Sequence, residues 1–521
     1  MKNKKKTKID RFLDISKHQS DMLRTTLRQQ LRRQIRLNSS STLPRDTVTV
    51  IPTVYELTEG KDITPETSPD TSLISYLQSR HLIESLTDDK LFTITTRNNI
   101  SKFKLYCGAD PTAPSLHLGN LLPLMVLLHF KINGSDVYGL VGGATGQVGD
   151  PSGRSTERTA LNVSEVENNV GKIQKQITTF LSNGIEYAKS RQFPMNKAIG
   201  KSNSVNNETW WKDVKMLDFL ATYGRHIRVS AMLARDSISS RLEGGGIGFN
   251  EFTYQILQAY DFYHLYKDEK VNMQVGGNDQ WGNITAGIDL ISRLKKQDEK
   301  TREAFGVTVP LLTTPSGEKF GKSAGNAVFI DPHLTTPYQL YQFFINVPDD
   351  MVSKLLKVFT LLPLNVIEGE LLPKHQNDPG LRIAQRVLAR EVVDLVHGVG
   401  VGDEMAYITG FLFPTPDQPF NDHVNADKLI ENFKRSGILY KFPLSKCHDI
   451  KLSTLIADIT GKSKSETRRL IKSGGVYLGL DRNQVEDPED VVLFDKDHHL
   501  VDGKLMLLRI GKQNYYVVEF V

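Results

Sequence analysis

Cysteine is nearly absent from this 521-residue chain, which has two, Cys107 and Cys447, far apart. Two isolated thiols exclude a disulfide scaffold and match no metal-binding spacing, and a reducing compartment is the simpler setting. Long apolar runs are also missing. LLPLMVLL (residues 121–128) falls well short of the ~20 residues that a membrane-crossing helix needs, so no bilayer span is expected. Nor does one sign of charge dominate: 65 Lys and Arg against 60 Asp and Glu leave a net charge of +5. With a pI near 8.8, that modest excess suits a protein that meets polyanions. The length leaves room for two or three domains, each able to bury a core.

What the chain does have is a set of small-residue turns, each following a strand-like run. FKLYCG leads through one such turn into HLGN (residues 117–120) and an apolar helix. The start of a helix offers unpaired N–H groups and a positive dipole end, a natural anion site. Gly119 lets a ring or a phosphate lie against the backbone, while His117 and Asn120 are short donors for charge developing there. Pro123 is expected near the helix start, where its missing N–H costs little. Far downstream, TTPSGEKFGKSAGN (residues 313–326) follows the short β-type run VTVPLL and carries two cations, Lys319 and Lys322, three residues apart. A loop of this kind can close over a phosphate leaving group at a strand end. Chemistry of this type rests on positioning and electrostatics and needs no protein nucleophile.

Between these two pieces, FNEFTYQILQAYDFYHLYKDE (residues 249–269) has a helical apolar pattern. Tyr254, Gln258 and Asp261 fall at i, i+4 and i+7, on one face. A phenol, an amide and a carboxylate converging on an apolar helix need partners if buried, and a free amino acid with a phenolic side chain could supply them. GGATGQVGDPSGR (residues 142–154) follows the run DVYGLV and delivers Asp150. VNMQVGGNDQWGN (residues 271–283) carries Gln274, Asp279 and Gln280.

HLGN resembles the HIGH signature of class I aminoacyl-tRNA synthetases, and KFGKS resembles the KMSKS loop. From about Ser72 to the C-terminus the chain is similar to tyrosyl-tRNA synthetases of the bacterial and organellar type. The resemblance implies an α/β fold: a Rossmann-like class I catalytic domain, a helical domain and a C-terminal S4-like α+β RNA-binding domain. It also implies roles. Tyr106 and Asp261 would grip the substrate phenol, while Asp150, Tyr254 and Gln258 would hold its ammonium group. Gln274 would support that network, and Gln280 would sit by the reacting carboxylate. Cys107, Gly108, Asp110, Thr112, His117, Gly119, Asn120, Gly277 and Asp279 would surround ATP. Lys319, Lys322 and Ser323 would clamp the pyrophosphate, acting with Thr112, His117 and Asn120 on the reaction itself. Arg154 and Arg158 match positions near the site and the tRNA acceptor end.

The implied activity is tyrosine–tRNA ligation, with ATP–Mg²⁺ as a substrate complex and no protein-bound metal. The implied partners are L-tyrosine, tRNA(Tyr) and a second copy of the chain in a homodimer. Two positions depart from the family pattern. Asn120 stands where many relatives have His but can still donate, and KFGKS is a variant of the tyrosine branch. Some fungal mitochondrial relatives also help fold group I introns, which leaves an RNA-folding role as an alternative.

The domain layout follows. Residues 1–70 are Lys/Arg-rich and then Ser/Thr/Pro-rich, and are expected to be a targeting segment with a flexible extension. From Met22 the segment is Arg-rich and free of acids, with Leu23, Leu27, Leu31 and Ile35 on one helical face, as mitochondrial matrix import requires. A basic tRNA-binding arm is the alternative. Residues 71–330 are expected to form the catalytic domain, with a helical insertion over about 160–235. Trp210, Trp211, Met216, Leu217 and Phe219 in that insertion suit either a dimer face or packing within the monomer. Residues 331–415 read as all-helical, 416–445 as a linker and 446–521 as the S4-like domain. There Ser463 is expected to cap a helix carrying Lys464, Arg468, Arg469 and Lys472, and Gly474–Gly475 to end it. Such a basic face fits an RNA backbone.

Overall fold

A computed structural model describes residues 72–153, 162–235, 238–239, 241–242, 246–295, 302–314, 320–323, 326–413, 425–446, 450–479, 482–489, 500–511 and 514–521. The leader read over residues 1–70, together with Arg154, Arg158 and Lys319, lies outside the described residues.

The central sheet has six strands: β1 (Ser85–Leu86), β2 (Lys104–Ala109), β3 (Asp136–Val141), β4 (Ser202–Asn206), β5 (Met273–Gly277) and β6 (Phe305–Val309). Their order is β1-β6-β5-β2-β3-β4. β2 to β6 run parallel, and β1 closes the β6 edge antiparallel. A parallel sheet must be covered on both faces, and β6 is buried along its whole length. One face, with Leu105, Cys107 and Val137, packs under the helices Leu118–Ile132 and Val163–Ser190. The other, with Tyr106, Tyr138 and Leu140, packs against Phe262 and Leu265 and against Ile291 of the helix Trp281–Leu294.

The chain steps outward from β2 through β3 to β4, then returns to lay β5 on the opposite side of β2. That reversal opens a crevice beyond the carboxyl ends of β2 and β5, where ligands gather in open α/β sheets. The strand-like runs FKLYCG, DVYGLV and VNMQVGG all feed it.

Three expectations change. Residues 160–235 are not purely helical: Val163–Ser190 is the crossover helix, and β4 follows it as an edge strand on β3. Pro123 lies in the second turn of Leu118–Ile132, where it cannot donate to the Gly119 carbonyl four residues back. The span read as a linker contains a helix, Ala426–Phe433, and a strand, Leu439–Phe442. ADKLIENF is amphipathic, and its Ala426, Leu429 and Phe433 are buried.

Beyond the crevice the chain is helical from Pro337–Ile345 to Val401–Leu412. The C-terminal sheet pairs β7 (Leu439–Phe442) parallel to β9 (Asn514–Phe520), which runs antiparallel to β8 (Leu505–Ile510). Leu505, Leu507, Tyr515 and Val517 join the core that contains Leu412 and Phe433, and Met506, Leu508 and Val518 pack on two short helices. Alternation along the strands thus serves two cores. The second short helix, Lys464–Lys472, is capped by the Ser463 side chain, which accepts from the Glu466 N–H at 3.2 Å. Lys464, Arg468, Arg469 and Lys472 are all exposed on it, and Arg468 reaches Glu489 at 3.1 Å.

Candidate active site

β2 lifts Tyr106 into the crevice in register with Tyr138 of β3 and Gln274 of β5. Its ring packs on Phe262, with centroids 5.3 Å apart. The hydroxyl is buried and has no hydrogen-bond partner among the described residues, and the same holds for the Gln274 carbonyl oxygen. Burial, then the nearby Asp261, pushes the Tyr106 phenol pKa well up, so it remains a donor. Two orphaned polar atoms side by side on adjacent strands are unusual in an interior, and they mark a place for a polar guest.

Asp261 faces this place from the helix Phe249–His264 and is 2% exposed. Its Oδ1 accepts from the indole N–H of Trp210 at 2.8 Å and of Trp211 at 2.7 Å. Its Oδ2 accepts from the Asn207 amide at 3.0 Å. A carboxylate has about four lone-pair sites, so three donors leave one acceptor position, on Oδ2. Burial raises the Asp261 pKa to about 7 against the lowering effect of these donors, with Asp110 adding to the rise. An acceptor with one open lone pair and an unpartnered phenol donor are what a second phenol hydroxyl needs, because it both donates and accepts.

The other residues of the helix face are also drawn in. Tyr254 donates to Asp110 Oδ2 at 2.8 Å. Burial, then Asp110 and Asp150, holds the Tyr254 phenol pKa well above its usual range. Asp150 accepts from the Gln280 amide at 2.8 Å and from the Ser152 N–H at 2.9 Å. Asn283 donates to the carbonyls of Gln258 at 3.0 Å and Gln280 at 3.1 Å. Gly142 admits Asp110 here: a Cβ on it would sit 2.2 Å from Asp110 Oδ1. Asp279 lies against Gly277 and Gly153 at the end of β5.

The two signature segments meet at the crevice. The Leu118 N–H donates to the Val328 carbonyl at 3.1 Å, and the Val328 N–H donates to the Gly321 carbonyl at 2.6 Å. His117 bridges to Phe329. Gly321 has φ +84°, and a Cβ there would lie 3.2 Å from that of Leu118. Lys322–Ser323 and Asn326–Ala327 continue as a small antiparallel pair, which places the Lys322 backbone next to the helix start. At the cap, Asn120 Oδ1 accepts from the His117 N–H at 3.0 Å, leaving its amide hydrogens to donate outward. Thr112, His117 and Gly119 are exposed at this end, as is Gly108. Cys107 points to the opposite sheet face from Tyr106, and burial pushes its thiol pKa up to about 12. It is therefore no nucleophile. Among the described residues no group of three or more His, Cys, Asp or Glu could hold a metal ion.

Asn207, Trp210, Trp211, Thr145 and Asn283 are site residues that motif reasoning missed. Asn206–Asn207 ends β4 at the ligand side of the sheet, and that amide pair was the available signal. The open alternative for the insertion divides. Trp211 packs in tilted ring contacts against Phe219 and Tyr260 inside the monomer, whereas Met216 and Leu217 are 68% and 79% exposed.

A protein-family model described as tRNA synthetases class I (W and Y) matches residues 98–412. The chain is 47% identical over 484 residues to the mitochondrial tyrosine–tRNA ligase of Saccharomyces cerevisiae, covering 92% of this chain and 94% of that protein. It is 38% identical over 455 residues to the mitochondrial tyrosine–tRNA ligase of Schizosaccharomyces pombe, covering 85% and 97%. Among solved structures, a C-terminally truncated Aspergillus nidulans mitochondrial tyrosyl-tRNA synthetase is similar at 33% identity with a TM-score of 0.59, covering 70% of this chain and 98% of that one.

Proposed function

The chain belongs to the class I tyrosyl-tRNA synthetases and is a tyrosine–tRNA ligase, and from that premise we propose how its residues divide the work. The tyrosine carboxylate attacks the α-phosphorus of ATP, the bond to the β-phosphate breaks, and pyrophosphate leaves. A ribose hydroxyl at the tRNA 3′ end then attacks the tyrosyl carbonyl, and AMP leaves.

Tyr106 and Asp261 hold the substrate phenol. The observation that carries this is the unpartnered Tyr106 hydroxyl facing a carboxylate with one open lone pair. Asp150, Tyr254 and Gln258 take the ammonium group, Gln274 supports them, and Gln280 stands by the carboxylate. Gly108, Asp110, Thr112, Gly119, Gly277 and Asp279 border ATP, which enters with Mg²⁺ as a substrate complex. Cys107 lies on the opposite face of β2 from Tyr106. His117, Asn120, Lys319, Lys322 and Ser323 act on the phosphates. Tyrosine-dependent ATP–pyrophosphate exchange tests the scheme, with each named residue changed in turn.

The phenol grip has a pH signature. kcat/KM reports the free enzyme, in which Asp261 titrates at about 7. Its carboxylate form accepts the phenol proton, so the tyrosine-to-phenylalanine ratio of kcat/KM should fall as pH drops through that value. A ratio flat between pH 6 and pH 8 would contradict it.

Arg154, Arg158 and the exposed face of Lys464, Arg468, Arg469 and Lys472 bind tRNA(Tyr). Changing Lys464, Arg469 and Lys472 together to Glu should leave pyrophosphate exchange intact while raising the KM for tRNA. The salt dependence of tRNA binding should drop by about one unit per lost phosphate contact. Unaltered tRNA charging at physiological salt would remove this surface from the account.

A homodimer is supported by the exposed apolar side chains Met216, Leu217 and Phe249, the last 73% exposed. Work in the mitochondrial matrix is supported by the acid-free cationic segment from Met22 and by the mitochondrial relatives.

A further inference from the structure

Two carboxylates of the crevice, the buried Asp261 at the phenol end and the half-buried Asp110, are joined by a bridge of two side chains. The Asn207 amide donates both its hydrogens, one to Asp261 Oδ2 at 3.0 Å and one to Thr145 Oγ1 at 2.9 Å. Its carbonyl oxygen is held by the Ala144 N–H at 2.9 Å. Thr145 therefore accepts from Asn207, and its own proton goes to Asp110 Oδ1 at 3.2 Å. Asp110 accepts in turn from Tyr254 at 2.8 Å. Thr145 is 3% exposed and Asn207 fully buried. Every donor direction in this array is fixed, because reversing one would set two donors or two acceptors face to face. No member can shift without leaving a buried polar group unpaired.

We propose that Thr145, acting through Asn207, is a positioning residue that couples recognition of the phenol to the placement of Asp110 and Tyr254. A substrate hydroxyl that fills the open lone pair of Asp261 then completes one array running to the ammonium and nucleotide side. Phenylalanine leaves the array incomplete, and selectivity is expressed in turnover as well as in binding. Thr145 touches neither substrate end in this scheme. The inference rests on the phenol grip by Tyr106 and Asp261.

The test is ATP–pyrophosphate exchange by the full chain with tyrosine and phenylalanine, comparing Thr145→Val, Thr145→Ser and Tyr106→Phe. Val keeps the shape and removes the hydroxyl. One lost hydrogen bond to a charged group corresponds to roughly 10-fold or more, so Thr145→Val should lower the tyrosine-to-phenylalanine ratio about 10-fold. Part of that loss should lie in kcat, the KM for ATP should rise, and Thr145→Ser should restore most of each. In an Asp261→Asn background the same change should have little further effect on the ratio, because the array is already broken. If Thr145→Val lowers tyrosine and phenylalanine activation equally, or lowers only the melting temperature, the bridge is structural and the inference is overturned. If Tyr106→Phe leaves the ratio unchanged, the phenol grip itself has failed.

Discussion

Asp261→Asn should lower kcat/KM for tyrosine roughly 10²- to 10³-fold and leave phenylalanine nearly unaffected. The substitution keeps the shape but replaces one acceptor oxygen by an NH₂ group. Placed at Oδ1, that group would face the indole donors of Trp210 and Trp211; placed at Oδ2, it would face Asn207. Either way, donors meet donors in a dry site, and the lone pair offered to the substrate is lost or displaced. A hydrogen bond to a charged group contributes about 1.5–3 kcal/mol, and the mismatch adds to that. Phenylalanine never used the interaction, so its rate is the internal control. Separate initial-rate curves for the two amino acids give the answer, and a parallel fall in both would mean that Asp261 only holds the fold.

The second large effect concerns Lys322. The Gly321–Val328–Leu118 backbone ladder places the Lys322 backbone next to the start of the helix Leu118–Ile132, and on the proposed scheme its charge would act on the same phosphates as the helix dipole end. Negative charge on the leaving pyrophosphate grows in the transition state, and a cation there acts mainly on kcat. Lys322→Ala should reduce the rate of adenylate formation about 10²- to 10³-fold. Tyrosine affinity measured in the absence of ATP should stay within about twofold, since ground-state amino-acid binding does not involve this charge. Lost tyrosine binding at normal turnover would place Lys322 elsewhere.

The elements that lie in both the reading and the structure have strong local patterns. DVYGLV and FKLYCG are apolar runs bounded by turn residues, and both are central strands. Tyr254 and Asp261 could be placed on one helix face from spacing alone, and both are buried in the crevice. β4 escaped because SNSVN is polar: it is an edge strand with no fully buried residue, a strand only because β3 offers it a partner. The strand LYKF was hidden in the same way, since its pairing with β9 comes from the far end of the chain.

The site shows the same division. Residue types and order pointed to Tyr106, Asp150 and Gln280. Which atoms remain open is a property of three-dimensional accounting, and no periodicity carries it. Trp210 and Trp211 read as apolar bulk, yet both indoles spend their N–H on one oxygen of Asp261. Thr145 lies in a glycine-rich turn whose pattern carries no sign of it, and its hydroxyl stands between Asn207 and Asp110.

On the proposed scheme this crevice selects an amino acid by its phenol hydroxyl. The most direct measurement is ATP–pyrophosphate exchange by the unmodified full chain with each of the twenty amino acids at equal concentration. Exchange should be driven by tyrosine, with phenylalanine lower by orders of magnitude and tryptophan inactive. Comparable rates for phenylalanine and tyrosine would contradict the account, because a site with an open Asp261 lone pair and an unpartnered Tyr106 hydroxyl cannot be indifferent to the group that fills both.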